Sequence, residues 1–213
     1  VADNPLVPRP SSPLLTRERI VVTALAVIDT EGLPAFSLPR LARELGVRAP
    51  SLYHHVADKA EILGAVARAV LLEAPFPPRR SNVVWTEWFV EVSLGVRRTI
   101  LRHAHAAPLL LEFTPREVLT PTYEIGAELL EEAGVPRSAH LLVLDGLDQL
   151  VLGSSVMEAI RPRERRERRL RDVVADDTPL LARAVAGDAR TSEQLFAETV
   201  RSFLRGAVAD APG

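Results

Sequence analysis

Between Arg48 and His55 the chain sets an arginine, a serine, a tyrosine and two histidines around one large aliphatic anchor, Leu52. A guanidinium, hydroxyls and imidazoles are poor packing material, but they reach phosphate oxygens and base edges well. A helix N-terminus at Pro50 adds its own attraction for phosphate. The chemistry these residues suggest is recognition of nucleic acid. Catalysis has no comparable signature: the chain holds no G-x-S-x-G elbow, no H-E-x-x-H and no G-x-x-x-x-G-K-[ST] loop. His103 and His105 stand two apart and would point to different sides of a helix, and the adjacent His54 and His55 fail as a metal pair for the same reason. No catalytic residue, no metal and no cofactor is expected.

The elements that must position the polar cluster are helical. Leu38, Leu41, Ala42 and Leu45 recur at i, i+3, i+4 and i+7, with Ser37 as the expected N-cap and Gly46 as the stop. Pro50 then opens a short second helix, a position where its missing N–H does no harm. Helix, glycine turn and second helix have the layout of a helix-turn-helix. Before it, Thr16 caps a helix with a stripe of Ile20, Ala24, Val27 and Ile28 that ends at Gly32. After it, Asp58 and Glu61 form a capping box for a helix over 58–74, which prolines 75, 77 and 78 interrupt. A plain three-helix bundle would show the same stripes, and the polar surface of the short helix argues against that reading.

Further on, Trp85, Trp88, Phe89, Val92, Val96, Ile100 and His103 fall at helical spacing, with a stop expected at Pro108. Thr114 and Glu117 form a second expected box, opening a helix that closes at Gly134, with Thr120-Pro121 as a possible later start. A stretch from Pro136 to Ile160 is apolar nearly all round apart from Asp145, Asp148, Gln149 and Glu158, and so needs cover on most sides. Thr191 and Gln194 cap a last amphipathic helix. The expected fold is all-α: an N-terminal three-helix helix-turn-helix domain, then a larger helical domain. Its expected divisions are a flexible arm over 1–15, a DNA-binding domain with connecting helix over 16–74, and the larger domain over 75–213.

Composition narrows the class. The 213 residues carry a formal net charge of −2, so any field for DNA must be local; within the motif Arg40, Arg43, Arg48 and Lys59 outnumber Glu44 and Asp58. Cysteine is absent, which removes disulfides and thiolate zinc sites. No stretch of 18 uncharged apolar residues suggests a membrane span, and the first residues lack a secretory pattern, so a cytoplasmic protein is expected. The run from Arg161 to Arg171, RPRERRERRLR, is read as a solvated loop in preference to a second phosphate-binding patch.

The segment Thr16 to Ala74, above all LARELGVRAPSLYHHVADKAEIL, resembles the DNA-binding domain of the tetracycline-repressor (TetR) family of bacterial regulators. The Trp85 helix, the TPRE stretch and LDGLDQLVLGSSVME are more weakly similar to the ligand domain of the tetracycline repressors. The resemblance implies that Arg48, Pro50, Ser51, Tyr53, His54 and His55 line the reading helix, that Lys59 and Tyr53 touch the phosphate backbone, and that Ser37 and Arg40 add contacts. Pro39 stands where those relatives tend to keep a base-reading arginine, so a different operator is expected. Leu111 stands where they keep a magnesium-binding histidine, and leucine cannot ligate a hard cation. A largely apolar effector is expected instead, with Trp85, Trp88, Phe89, His103, Phe113, Tyr123 and Met157 as pocket candidates or plain core. The function implied is that of a repressor binding palindromic double-stranded operator DNA and released by a small molecule. It would act as a homodimer through helix 136–160 and the C-terminal helix, which supplies the cover those helices need. The alternative is a helical ligand-binding or scaffold protein with no DNA-binding activity.

Overall fold

The computed structural model describes residues 15–78, 84–161 and 178–209. Residues 1–14 of the expected arm and the arginine run beyond Arg161 lie outside them. Among the described residues every regular element is a helix.

Three helices build the N-terminal unit. Helix α1 (Arg17–Glu31) is capped by Thr16, whose hydroxyl accepts from the Arg19 N–H at 3.1 Å, and ends at Gly32 with φ of 85°. A short 3-10 turn, Leu33–Ala35, leads to α2 (Leu38–Leu45), capped by the Ser37 hydroxyl and stopped by Gly46 at φ 69°. Both glycines occupy a region in which a side chain would be strained. Helix α3 (Ala49–Leu52), the short second helix expected from Pro50, is one turn long. It has no side-chain cap, and i→i+3 bonds such as Tyr53 N–H to the Pro50 carbonyl tighten it before it can extend. Leu41, Leu45, Leu52, Val56, Ile20 and Phe36 close over one another as the core of this unit.

Helix α4 (Lys59–Leu72) leaves this unit. Asp58 accepts from the Glu61 N–H at 2.8 Å, and Glu61 reaches back to the Ala57 N–H, one residue earlier than an ideal capping box. Helix α5 (Trp85–Arg102) stops short of Pro108, because the His103 carbonyl accepts from both Ala106 and Ala107 and turns the chain. Pro108 instead precedes the one-turn α6 (Leu109–Glu112). The expected Thr114–Glu117 box does not form: the Thr114 hydroxyl donates back to the Leu110 carbonyl at 2.8 Å, and α7 (Arg116–Glu132) starts after Pro115 without a side-chain cap. Pro121 sits inside α7, so it is not a later start. Helices α8 (Arg137–Ala159), α9 (Pro179–Ala186) and α10 (Ser192–Ala209) complete the fold, and the Thr191–Gln194 box forms with both reciprocal bonds.

Helices α5, α8 and α10 pack on one another, and α4 bridges them to α1. Inside the trio, Arg97 of α5 meets Glu158 of α8 at 2.6 Å and Ser192 of α10 at 3.0 Å, with both charged side chains only 5% exposed. The Arg97 guanidinium also lies 5.4 Å from the centre of the Phe196 ring. Buried pairs of this kind add little net stability, but removing one partner strands the other charge. Gly95 lets the chain before α5 come close: a Cβ there would stand 2.9 Å from the Pro75 carbonyl oxygen. Gly95→Ala should therefore lower stability by about 1–2 kcal/mol in a urea titration, overpacking outweighing alanine's better helix propensity.

Candidate DNA-reading surface and the cavity behind it

With Leu52 fully buried, α3 turns its polar residues outward. Arg48, Pro50, Tyr53 (57% exposed) and His54 face solvent, while Ser51 and His55 are half-buried. Arg17 steadies this edge, its guanidinium pairing with Glu61 and lying 3.4 Å from the His55 carbonyl. That tie across α1, α3 and α4 has no local sequence signal, because its residues are far apart in the chain.

The flanking cations already have partners. Lys59 donates to the Phe36 carbonyl at 3.0 Å and sits 5.6 Å from the centre of the Phe36 ring, leaving two of its three donors for a phosphate. The Arg40 fork is shared between Glu31 and Glu44, whose hydrogen bonds hold it firmly protonated and hold Glu31 below the usual carboxylate range. A phosphate contact from Arg40 must exchange with those carboxylates. The Ser37 hydroxyl accepts from the Arg40 N–H and keeps its own proton to donate.

Behind this unit, α5, α7 and α8 enclose an apolar cavity that α4 closes with Leu71. Phe89, Val92, Ser93 and Val96 form its α5 wall, Leu119, Thr122 and Tyr123 its α7 wall, and Leu144, Leu147, Asp148, Val151 and Leu152 its α8 wall. Each set follows helical spacing, so each is one face of its helix. The cavity is small, about 50 Å³. A drug-sized molecule must therefore spread the walls to enter.

Of the seven residues expected around a ligand, Phe89 and Tyr123 line this cavity. Trp85 packs edge-on against Phe89 with centroids 6.1 Å apart. Trp88, on the adjacent face, is buried core with its indole N–H donating to the Pro77 carbonyl at 3.2 Å. Phe113 lies against Gly64 and lines a separate cleft formed by α1, α4 and the segment from α6 into α7. Met157 is 59% exposed on the outer face of α8, and Leu111 is 58% exposed on α6. Ser93, Val96 and Asp148 are wall residues that sequence reasoning did not place in a pocket; the visible hint was an aspartate within an apolar helix.

His103 lies at the junction of the two parts. Its Nδ1 is 2.7 Å from Asp29 of α1 and its Nε2 is 3.0 Å from Glu73 at the end of α4, where Arg102 also pairs. His105 reinforces the joint with Nδ1 2.9 Å from the Asp29 carbonyl. Burial opposes charge on His103, but the hydrogen bonds and charges of Glu73 and Asp29 outweigh it, so the imidazole titrates above its ordinary value. Bonding to His103 in turn holds Glu73 below its ordinary value.

An exposed polar short helix on a rigid helix-turn-helix, tied to a helical body with an apolar cavity, is the make-up of a ligand-responsive DNA-binding transcriptional regulator. The family described as bacterial regulatory proteins, tetR family, matches residues 20–66. The chain is 26% identical over 198 residues to the class E tetracycline repressor of Escherichia coli, covering 90% of each chain. It superposes on the Streptomyces coelicolor TetR family protein ActR in complex with (S)-DNPA, with TM-score 0.71 and 30% identity over 92% of this chain and 98% of that one. It also superposes on BioQ with its natural double-stranded DNA operator, with TM-score 0.61 and 28% identity over 82% of this chain and 100% of the other. The chain belongs to the tetR family of bacterial regulatory proteins.

The junction makes stability depend on pH in two directions. His103, with its folded pKa raised, stabilises fully below about 6.5 and loses that contribution as pH rises through the folded value; Glu73, depressed, contributes above about 4.5 and loses it as pH falls. The stability lost in His103→Gln, followed by urea midpoints, should be largest between those limits and shrink as pH rises through the folded value of His103.

Proposed function

We propose that this protein is a repressor that binds a palindromic operator as a homodimer, reads it with Arg48, Pro50, Ser51, Tyr53, His54 and His55, and is released by a small, mostly apolar molecule. The observation that carries the reading is the outward display of Arg48, Tyr53 and His54 around a short helix whose one large aliphatic side chain, Leu52, is buried. Ser37, Arg40 and Lys59 flank that surface and serve the phosphates, Arg40 by exchanging its carboxylate partners. Residues 16–74 act as the reading head and 75–213 as the effector and dimer domain. The protein works in the cytoplasm and has no catalytic role; among the described residues no helix is long and apolar enough to cross a membrane.

The dimer reading rests on α8 and α10. Leu141 and Leu142 are exposed at 75% and 53%, and Leu142, Gly146, Gln149, Gly153, Met157 and Ile160 follow one another at helical spacing along the outside of α8. A second copy supplies the cover that this chain alone lacks, in a four-helix arrangement with α10. Met157 is thereby assigned to the dimer face. The effector is assigned to the cavity, and Leu111 gives no ligand for the magnesium ion that tetracycline repressors are expected to use.

Two reading helices must sit roughly 34–36 Å apart, or a multiple of a turn, to enter successive major grooves. An effector that spreads α7 and α8 pushes on Leu71 and α5, and the His103 junction passes that displacement to α1 and α4. The ligand acts only through its different affinity for the two spacings.

Tyr53→Ala and Arg48→Ala should each weaken binding to the DNA flanking the protein's own gene by about tenfold or more, with unchanged melting, in a salt-controlled anisotropy titration. Full affinity in both variants removes α3 from the interface. Leu142→Glu should shift sedimentation toward a monomer and abolish operator binding while helix content by circular dichroism stays the same.

A further inference from the structure

The wall of the cavity contains one charged side chain, Asp148, and its surroundings do not neutralise it. It stands midway along α8 (Arg137–Ala159), beyond the first and last turns where a helix dipole acts. Tyr123 of α7 shares the cavity wall with it and eases its ionisation. Arg116 of α7 is the nearby positive charge, set outside the wall, while Asp145 one turn away adds a second negative one. Burial is the largest influence on Asp148 and makes its ionisation harder in spite of Tyr123 and Arg116.

An uncharged apolar occupant would strip Asp148 of water and return no hydrogen bond, and a carboxylate would add repulsion. A basic nitrogen on an apolar frame does the opposite: it forms a charge-assisted bond at the one polar end while hydrocarbon fills the remainder, where Phe89, Val96, Leu147 and Val151 supply only apolar contact. We propose that the effector class is small apolar amines, bound as ammonium ions with the nitrogen on the Asp148 carboxylate, and that Asp148 is the residue that sets this preference. The proposal rests on the cavity being the effector site.

The test uses the full chain and three probes that share one frame: 1-naphthylmethylamine, 1-naphthalenemethanol and 1-naphthoate, titrated calorimetrically at neutral pH. The amine should bind about tenfold or more tighter than the alcohol, with the acid weakest. Asp148→Asn should bring amine and alcohol within about threefold, whereas Asp145→Asn, outside the wall, should keep the ranking. Because the ranking on the native chain is itself decisive, the test stands even where a variant folds poorly. Equal or tighter binding of the alcohol or the acid overturns the amine preference and leaves the cavity reading intact. An amine preference that survives Asp148→Asn overturns the assignment to that residue. If none of the three probes binds, this inference and the effector role of the cavity both fail.

Discussion

A buried imidazole between two carboxylates joins the N-terminal helix-turn-helix unit to the helical body. His103 ends α5, and its two ring nitrogens reach Asp29 on α1 and Glu73 at the end of α4. Hydrogen bonds at both nitrogens have a narrow range of geometry, so the end of α5 cannot move without taking α1 and α4 with it. Packing alone would let apolar surfaces slide. The polar joint gives the reading head a defined seat on the helical body, and the remaining design follows from that seat.

Helix α8 has two occupations on opposite sides. Leu144, Leu147, Asp148, Val151 and Leu152 face the cavity, while Leu142, Gly146, Gln149, Gly153 and Met157 run along the outside. A helix with two apolar faces reads as apolar all round, which explains the composition of 136–160 without burying it inside one chain. The buried Arg97–Glu158–Ser192 cluster ties α5, α8 and α10 to one another beside the cavity.

Helix starts and stops were largely legible in the sequence where a side chain or glycine closes a turn locally. Thr16, Ser37, Asp58 and Thr191 cap as their spacing predicts, and Gly32 and Gly46 end their helices. Thr114 shows where that logic stops: the same box pattern is present, but the hydroxyl is taken by the Leu110 carbonyl behind it, and the pattern carries no record of that competitor. The aromatic stripe from Trp85 was equally ambiguous. Phe89 faces the cavity and Trp88 the core, a difference of one position that depends on which neighbours lie across from each.

What the sequence determined by itself was the helical fold, the helix-turn-helix, the family and the outward chemistry of Arg48 to His55, because caps, stripes and a lone Leu52 anchor are local and periodic. What only the tertiary structure decided was the company each polar group keeps. Arg40 is shared by Glu31 and Glu44, Lys59 is tied to Phe36, His103 is a joint between helices, and Asp148 is the charged point of an apolar cavity. Apart from Arg40–Glu44, one helical turn apart, and Asp148, which packing places, those roles come from groups up to seventy-four positions apart brought within hydrogen-bond distance, and spacing along the chain holds no information about such meetings.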